Sequence, residues 1–184
     1  MEKSVLMGGF GGQGVQTCGQ LLINIANEED QIATFYSQYG GAMRGGTSNC
    51  TVITSDEEIG APNKQRVDYV IAFNIPSFKR FEESVVKGGT MIVNSSLIKE
   101  DLFTRDDITY VGVAANDLAQ QIGNARVLNI ILLGFFCAYS GMVGVDTAKR
   151  VVLEKLAAKA EFIEMNTKAF DAGVEAASAF KAKS

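Results

Sequence analysis

The chain has 184 residues, the length of one large domain, and its 47% hydrophobic and 21% charged residues exclude a disordered or fibrous protein. It contains no histidine, which excludes histidine-dependent triads, histidine general bases and imidazole metal sites. The net charge of −4 argues against nucleic-acid binding, and basic pairs such as Lys79-Arg80 are predicted to lie on solvated helix faces.

Cysteine usage and the first residues bear on the cellular compartment. Cys18, Cys50 and Cys137 are too far apart to form a C-x-x-C pair, so we expect no iron–sulfur cluster held by this chain alone. Cys18 and Cys137 are expected to be small buried hydrophobic residues in a reducing compartment. Residues 1–3 lead into the first strand without an apolar signal segment, so we expect a cytoplasmic protein.

The first predicted elements are an apolar strand, a glycine loop and a helix, within residues 4–28. Three glycines have the G-x-G-x-x-G spacing of the dinucleotide fingerprint, with the required strand and helix on either side. Backbone N–H groups at the start of such a helix favour a phosphate or carboxylate. The candidate site residues of this loop are Gly9, Gly11, Gly12, Gln13 and Gly14.

The second predicted strand, residues 32–36, lacks the acid that the NAD fingerprint needs about twenty residues after the glycines. The next acid is Asp56, and residues 28–30 are acidic but precede the strand. NAD or FAD binding is therefore disfavoured. The alternative is a glycine turn that only allows the helix and the sheet to pack closely.

A second loop, residues 38–47, contains four glycines and one cation, Arg44. The guanidinium can grip a carboxylate or phosphate with two hydrogen bonds, or it can pair with a neighbouring acid or face solvent. Residue chemistry does not separate these alternatives. The candidate ligand or interface residues here are Gln38, Tyr39, Arg44, Gly45 and Gly46.

The remaining pattern alternates strands with helices. Strands are predicted at 48–54, 68–73, 90–94 and 109–113, and a helix that begins near Pro76 is predicted to bury Val85 and to end at 88–89. Asn116 is predicted to cap a short helix that ends at Gly123. The fold class is α/β: a Rossmann-like three-layer sandwich, with a mostly parallel sheet, helices on both faces and ligands at the carboxyl ends of the strands.

Residues 127–145 form a charge-free run of 19 residues. The helix should end near Ser140 and is then too short to span a membrane, so we expect a buried helix and no membrane partner. Asn129 must either cap local backbone or reach a facing subunit or ligand. Helix is predicted from residue 146 onward, with a break near 160–161, and no linker divides residues 1–184 into two domains.

Four stretches together resemble the gamma subunit of the 2-oxoacid:ferredoxin oxidoreductases, which act on pyruvate, 2-oxoglutarate, 2-oxoisovalerate or indolepyruvate. Residues 9–15 are similar to the family's opening G-x-G-G-Q-G-V, and residues 39–46 to its Y-G-P-E-x-R-G-G loop. Residues 94–96 and 123–134 resemble its later landmarks. Gly41-Ala42 replaces the family's Pro-Glu, so this chain lacks the acid of that loop.

The resemblance implies an oligomeric complex in which thiamine diphosphate and Mg²⁺ lie between thiamine-binding alpha and beta subunits. Iron–sulfur clusters would belong to a ferredoxin-like delta subunit, coenzyme A would accept the acyl group, and ferredoxin would accept electrons. This chain would hold no cofactor, metal or catalytic residue of its own, and alone it is expected to be inactive. The alternative from the residues is a stand-alone nucleotide- or anion-binding α/β module.

Overall fold

The computed structural model describes residues 2–39, 46–157 and 160–182. A six-stranded sheet has the order β2-β3-β1-β4-β5-β6. Five strands run in one direction, and β3 is antiparallel to both of its neighbours. The sheet is therefore mostly parallel, as predicted. Its strands are β1 (Lys3–Phe10), β2 (Ile32–Tyr39), β3 (Thr47–Ser55), β4 (Val67–Ala72), β5 (Val85–Asn94) and β6 (Thr109–Val113).

Helices cover both faces of this sheet, and the apolar residues form one core on each face. The larger core lies beneath five helices, and the smaller one beneath α2 and the connection between β5 and β6. The helices are α1 (Val15–Glu28), α2 (Ile75–Phe81), α3 (Ala115–Ile122), α4 (Leu128–Ser140), α5 (Val145–Lys155) and α6 (Ala160–Lys181). The three-layer α/β prediction is thus confirmed.

Between β1 and β4 the chain changes the side of the sheet toward which it adds strands: the connection after β1 leads to β2, and the connection after β4 leads the other way to β5. Helix α1 follows β1 and packs over β3 and β2 on one face, whereas α2 follows β4 on the opposite face and leads to β5. The carboxyl ends of β1 and β4 therefore flank the topological switch point, where open α/β sheets place their ligand crevice.

Helix α4 occupies the centre of the larger core. Ten of its residues, Leu128 to Cys137, are buried, and Gly141 ends it with φ of 62°. Helix α6 lies directly against α4, and glycines allow the two backbones to approach this closely. A Cβ at Gly134 would fall on Phe170 O, and a Cβ at Gly173 would fall on Ile131 O. No helix among the described residues is both long and apolar enough to cross a membrane.

Two predicted helix boundaries are wrong. Helix α2 ends at Phe81, and Val85 instead begins β5, where it pairs with Val67. Gly89 lies inside β5 rather than at a helix end. A glycine is needed there because a Cβ would be 2.8 Å from Asp68 O. Asn116 does not cap α3, since the N-cap is Ala114 and Asn116 lies in the first helical turn.

Candidate functional site

The glycine loop lies at the carboxyl end of β1, beside the first turn of α2. Gly12 and Gly14 have φ of 94° and 77°, which side-chain-bearing residues rarely adopt. Gln13 Oε1 accepts hydrogen bonds from the Phe10 N–H at 2.7 Å and from Asn74 Nδ2 at 2.8 Å. Gln13 therefore links the glycine loop to the end of β4 across the switch point.

Three further hydrogen bonds join the glycine loop and α1 to the start of β3. The Gly11 N–H donates to Gly46 O at 3.0 Å. Gln16 Nε2 donates to Ser48 Oγ at 3.0 Å and to Asn49 O at 2.9 Å. A cleft of about 350 Å³ lies between the glycine loop, the first turn of α1 and Ser48.

The first turn of α1 opens toward this cleft. Gly14 is the N-cap in the left-handed conformation and supplies no side chain to the helix end. The hydrogen bond from Cys18 N to Gly14 O is 3.0 Å long. The N–H groups that precede Cys18 in the helix point out of its end, where the helix dipole favours a negatively charged group. The cleft is thus suited to a phosphate or carboxylate.

Asparagines extend the polar edge from β4 to α3. Asn74 Oδ1 accepts from the Ser77 N–H at 2.9 Å and so caps α2. Asn94 Nδ2 donates to Phe73 O at 3.1 Å and to Asn116 Oδ1 at 2.6 Å. Asn94 is fully buried, and its Oδ1 has no hydrogen-bond partner. Capping of α2 and bracing of the chain account for the hydrogen bonds that Asn74 and Asn94 make.

Arg80 is a cation at this edge. It is exposed, as predicted for the Lys79-Arg80 pair, but its position beside the glycine loop was not predicted. Its Nη1 donates to Thr47 Oγ1 at 2.9 Å, and its guanidinium lies 5.2 Å from the centroid of the Phe81 ring. Thr47 pairs with Phe10, so Arg80 reaches the base of the glycine loop. The sequence feature that could have located Arg80 is its position six residues after Asn74, the N-cap of a helix that starts at the carboxyl edge of the sheet.

The structure places most of the predicted site residues near this edge. Gln38 and Tyr39 end β2 and pair with Asn49 and Ser48, respectively. Asn129 comes from α4, is 8% exposed, and its side chain contacts Gly14. These positions bring the glycine loop, the described ends of the second predicted loop and the start of α4 to one end of the sheet.

The three remaining residues to place are Gly9, Arg44 and Gly45. Gly9 faces α1 rather than the cleft, since a Cβ there would be 2.7 Å from Val15 Cγ2. Arg44 and Gly45 lie outside the described residues, as do Gly41 and Ala42. Their roles stay predictions from the sequence.

The described residues do not fit a metal centre. Within those ranges, no group of three or more His, Cys, Asp or Glu side chains is placed to hold a metal ion. The three cysteines are all buried, as predicted for Cys18 and Cys137, and burial raises the pKa of the Cys137 thiol to about 12. A thiolate, which is the form that binds a metal, is therefore disfavoured.

Comparison with known proteins identifies a family that matches nearly the whole chain. The family described as pyruvate ferredoxin/flavodoxin oxidoreductase matches residues 4–176. The chain is 32% identical over 181 residues to the 2-oxoglutarate synthase subunit KorC of Methanothermobacter marburgensis, covering 95% of this chain and 96% of KorC.

Another relative is longer than this chain. The chain is 34% identical over 176 residues to the ketoisovalerate oxidoreductase subunit VorA of Methanothermobacter thermautotrophicus. The matched region covers 95% of this chain but only 36% of VorA. Among solved structures, the gamma subunit of a keto/oxoacid ferredoxin oxidoreductase from Geobacter sulfurreducens has a TM-score of 0.82 and 27% identity. The match covers 96% of this chain and 99% of that one.

Proposed function

The chain belongs to the pyruvate ferredoxin/flavodoxin oxidoreductase family, and we propose that it is the gamma subunit of a thiamine-dependent 2-oxoacid:ferredoxin oxidoreductase. The complex would oxidatively decarboxylate a 2-oxoacid to an acyl-CoA and reduce ferredoxin. The observation that carries the proposal is the family match across residues 4–176, which includes the glycine loop and the polar edge.

The distribution of chemical groups supports a non-catalytic role within such a complex. The chain has no histidine to act as a general base, and its three cysteines are buried and separated in sequence. Thiamine diphosphate, Mg²⁺ and iron–sulfur clusters would therefore belong to partner subunits. This chain would supply shape and anion-binding groups at the shared interface.

The carboxyl edge is the proposed contact surface. Free N–H groups at the start of α1 and the Gln16 and Ser48 side chains border the cleft and are suited to hold the anionic part of coenzyme A or of a partner subunit. Arg44, from the sequence, and Arg80 would supply positive charge there. Gln38, Tyr39 and Asn129 would shape the surrounding contact.

Isolation of the protein from its native source tests the proposal. We expect the chain to co-purify in a stable hetero-complex that reduces ferredoxin in the presence of a 2-oxoacid and coenzyme A. A single-chain species that binds nucleotide by itself and has no associated subunits would contradict the proposal and support the stand-alone module. Screening pyruvate, 2-oxoglutarate, 2-oxoisovalerate and indolepyruvate identifies the 2-oxoacid.

Arg44→Ala is expected to weaken the complex while leaving the free chain as stable as the wild type. Loss of a charge-assisted contact costs roughly 1.5–3 kcal/mol, or about ten- to a hundred-fold in assembly or in the Michaelis constant for coenzyme A or the 2-oxoacid. Arg44→Lys should restore only part of this, because a point charge cannot make two parallel hydrogen bonds. Melting of the free subunit and kinetics of the reconstituted complex measure both effects.

Arg150→Ala is the matched control, since Arg150 pairs with Glu28 at the far end of α1 from the glycine loop. Its loss removes only surface ion pairs, which contribute about 0–1 kcal/mol. Assembly and kinetics should follow the wild type. If Arg44→Ala behaves like Arg150→Ala in the complex, Arg44 is a solvated loop residue.

A further inference from the structure

Strand β2 forms one edge of the sheet, and its own eight residues carry none of the sequence features that usually protect an edge strand. It pairs with β3 along all eight of its residues without a register shift, and no other strand among the described residues pairs with its outer side. Its sequence, IATFYSQY, contains no charged residue and no proline. Soluble proteins usually block such edges with lysine, proline or a bulge, because an open edge invites pairing with another chain.

Two large apolar side chains on this strand are exposed. Ile32 is 46% exposed and Tyr36 is 38% exposed. They point to the same face of the sheet because side chains alternate along a strand. Thr34 lies between them on that face and is half-buried, and its buried Oγ1 has no hydrogen-bond partner. Ala33 and Phe35, by contrast, pack into the larger core on the α1 side.

The spacing of these residues is self-complementary. If two copies of β2 pair antiparallel with Thr34 opposite Thr34, then Ile32 of each copy lies opposite Tyr36 of the other. Pairs of aromatic and β-branched residues stabilise antiparallel strands. Centring the pair on Phe35 would instead place Ile32 opposite Gln38, and centring it on Ala33 would place Ile32 opposite Thr34. Only the Thr34-centred register joins the two exposed apolar residues.

Charge does not oppose this arrangement. Asp30 is the nearest acidic residue before β2, and in this register it lies opposite the uncharged Gln38 of the second copy. The two Asp30 side chains are offset by the eight positions from 30 to 38, or roughly 27 Å at about 3.4 Å per residue. That separation exceeds the Debye length of about 8 Å at physiological ionic strength, so repulsion between them is screened.

We propose that β2 is a self-association edge through which two copies of this chain pair antiparallel about a twofold axis at Thr34. The pairing joins their two sheets into one continuous sheet, with α1 of both copies on the same face. This inference goes beyond the proposed function and does not depend on it.

Cysteine cross-linking of the purified full chain tests the register. Thr34→Cys places a thiol at the twofold axis, where it faces its own counterpart, and mild oxidation should give a disulfide-linked dimer. Ser37→Cys is the matched control: it is more exposed but lies opposite Gln31 of the second copy, so it should not cross-link to itself. The three native cysteines are buried and give little background.

Light scattering over a range of protein concentrations tests association directly. The wild type should show a concentration-dependent dimer, and Tyr36→Lys should weaken it about tenfold by removing both apolar pairs, while its circular dichroism spectrum stays that of the folded wild type. A wild type that stays monomeric, or equal cross-linking of Thr34→Cys and Ser37→Cys, would overturn the proposal. A cross-link from Thr34→Cys to a different subunit in the native complex would also overturn it, since the edge would then belong to that subunit.

Discussion

Gly173→Val is expected to abolish folding, because a side chain at this position would collide with the backbone of α4. A Cβ at Gly173 would fall against Ile131 O and lie 2.7 Å from Phe135 N. Backbone atoms inside a helix cannot turn away as a flexible side chain can, so α6 must move off α4. Overpacking alone costs about 1–3 kcal/mol, and the larger branched side chain adds to it.

The displaced contact lies within the larger core. Ile131, Phe135 and Phe170 are fully buried, and separating α4 from α6 opens cavities around all three. A domain whose total stability is about 5–15 kcal/mol has little reserve for such a change. Even Gly173→Ala should destabilise the chain, although alanine favours a helix over glycine by about 1 kcal/mol.

Chemical denaturation and circular dichroism measure these changes. Gly60→Ala is the control, because a Cβ at Gly60 has no atom within 4 Å. It should alter the free energy of unfolding by less than about 0.5 kcal/mol. A Gly173→Val variant that unfolds at the wild-type denaturant concentration would show that α4 and α6 do not approach as closely as described.

Local sequence pattern was sufficient for most elements. The β6 prediction, 109–113, matches the structure, and the apolar run after residue 127 forms a buried helix that ends at Ser140 as expected. Strands buried on both faces are continuous apolar runs, and glycine marks helix ends, so both signals are local. The extra residues of β2, through Tyr39, were missed because their pairing with β3 is a long-range property.

The wrong predictions share a cause. Val85 has the spacing of a helical core residue after Phe78 and Phe81, but it is buried by pairing with Val67 in β4. Asn116 has the residue type of a helix cap, but its Oδ1 accepts a hydrogen bond from Asn94, 22 positions away. In both cases a contact distant in sequence determined the role of a residue whose local pattern had another explanation.

The candidate site shows the same limit. The glycine spacing marked the loop, but the Gln13–Asn74 hydrogen bond joins residues 61 positions apart and leaves no local signal. Gly173 was not singled out, and Gly134 was noted only as part of a family landmark, since only the helix opposite each glycine shows that a side chain cannot fit. Arg80 likewise became relevant only when folding brought it to Thr47.

Gly14→Val is expected to destabilise the chain by about 2–5 kcal/mol, through two separate costs. Gly14 has φ of 77°, which a β-branched residue adopts only under strain. A Cβ would also fall against the Asn129 side-chain amide and lie 2.7 Å from Asn129 Cγ. In the dinucleotide fingerprint the third glycine allows a close contact between helix and strand. In this chain that close approach occurs at Gly9, and at Gly14 the neighbour is α4.

Alanine substitutions separate these two costs. Gly12 has φ of 94° but no atom within 4 Å of a Cβ, so Gly12→Ala measures the backbone cost alone. Gly14→Ala should cost more, and the difference is the contact with Asn129. In an Asn129→Ala background most of that difference should disappear, because the amide and Cγ are then absent, whereas the backbone cost remains. Equal costs for Gly12→Ala and Gly14→Ala, or no coupling between Gly14→Ala and Asn129→Ala, would show that α4 does not pack against the glycine loop.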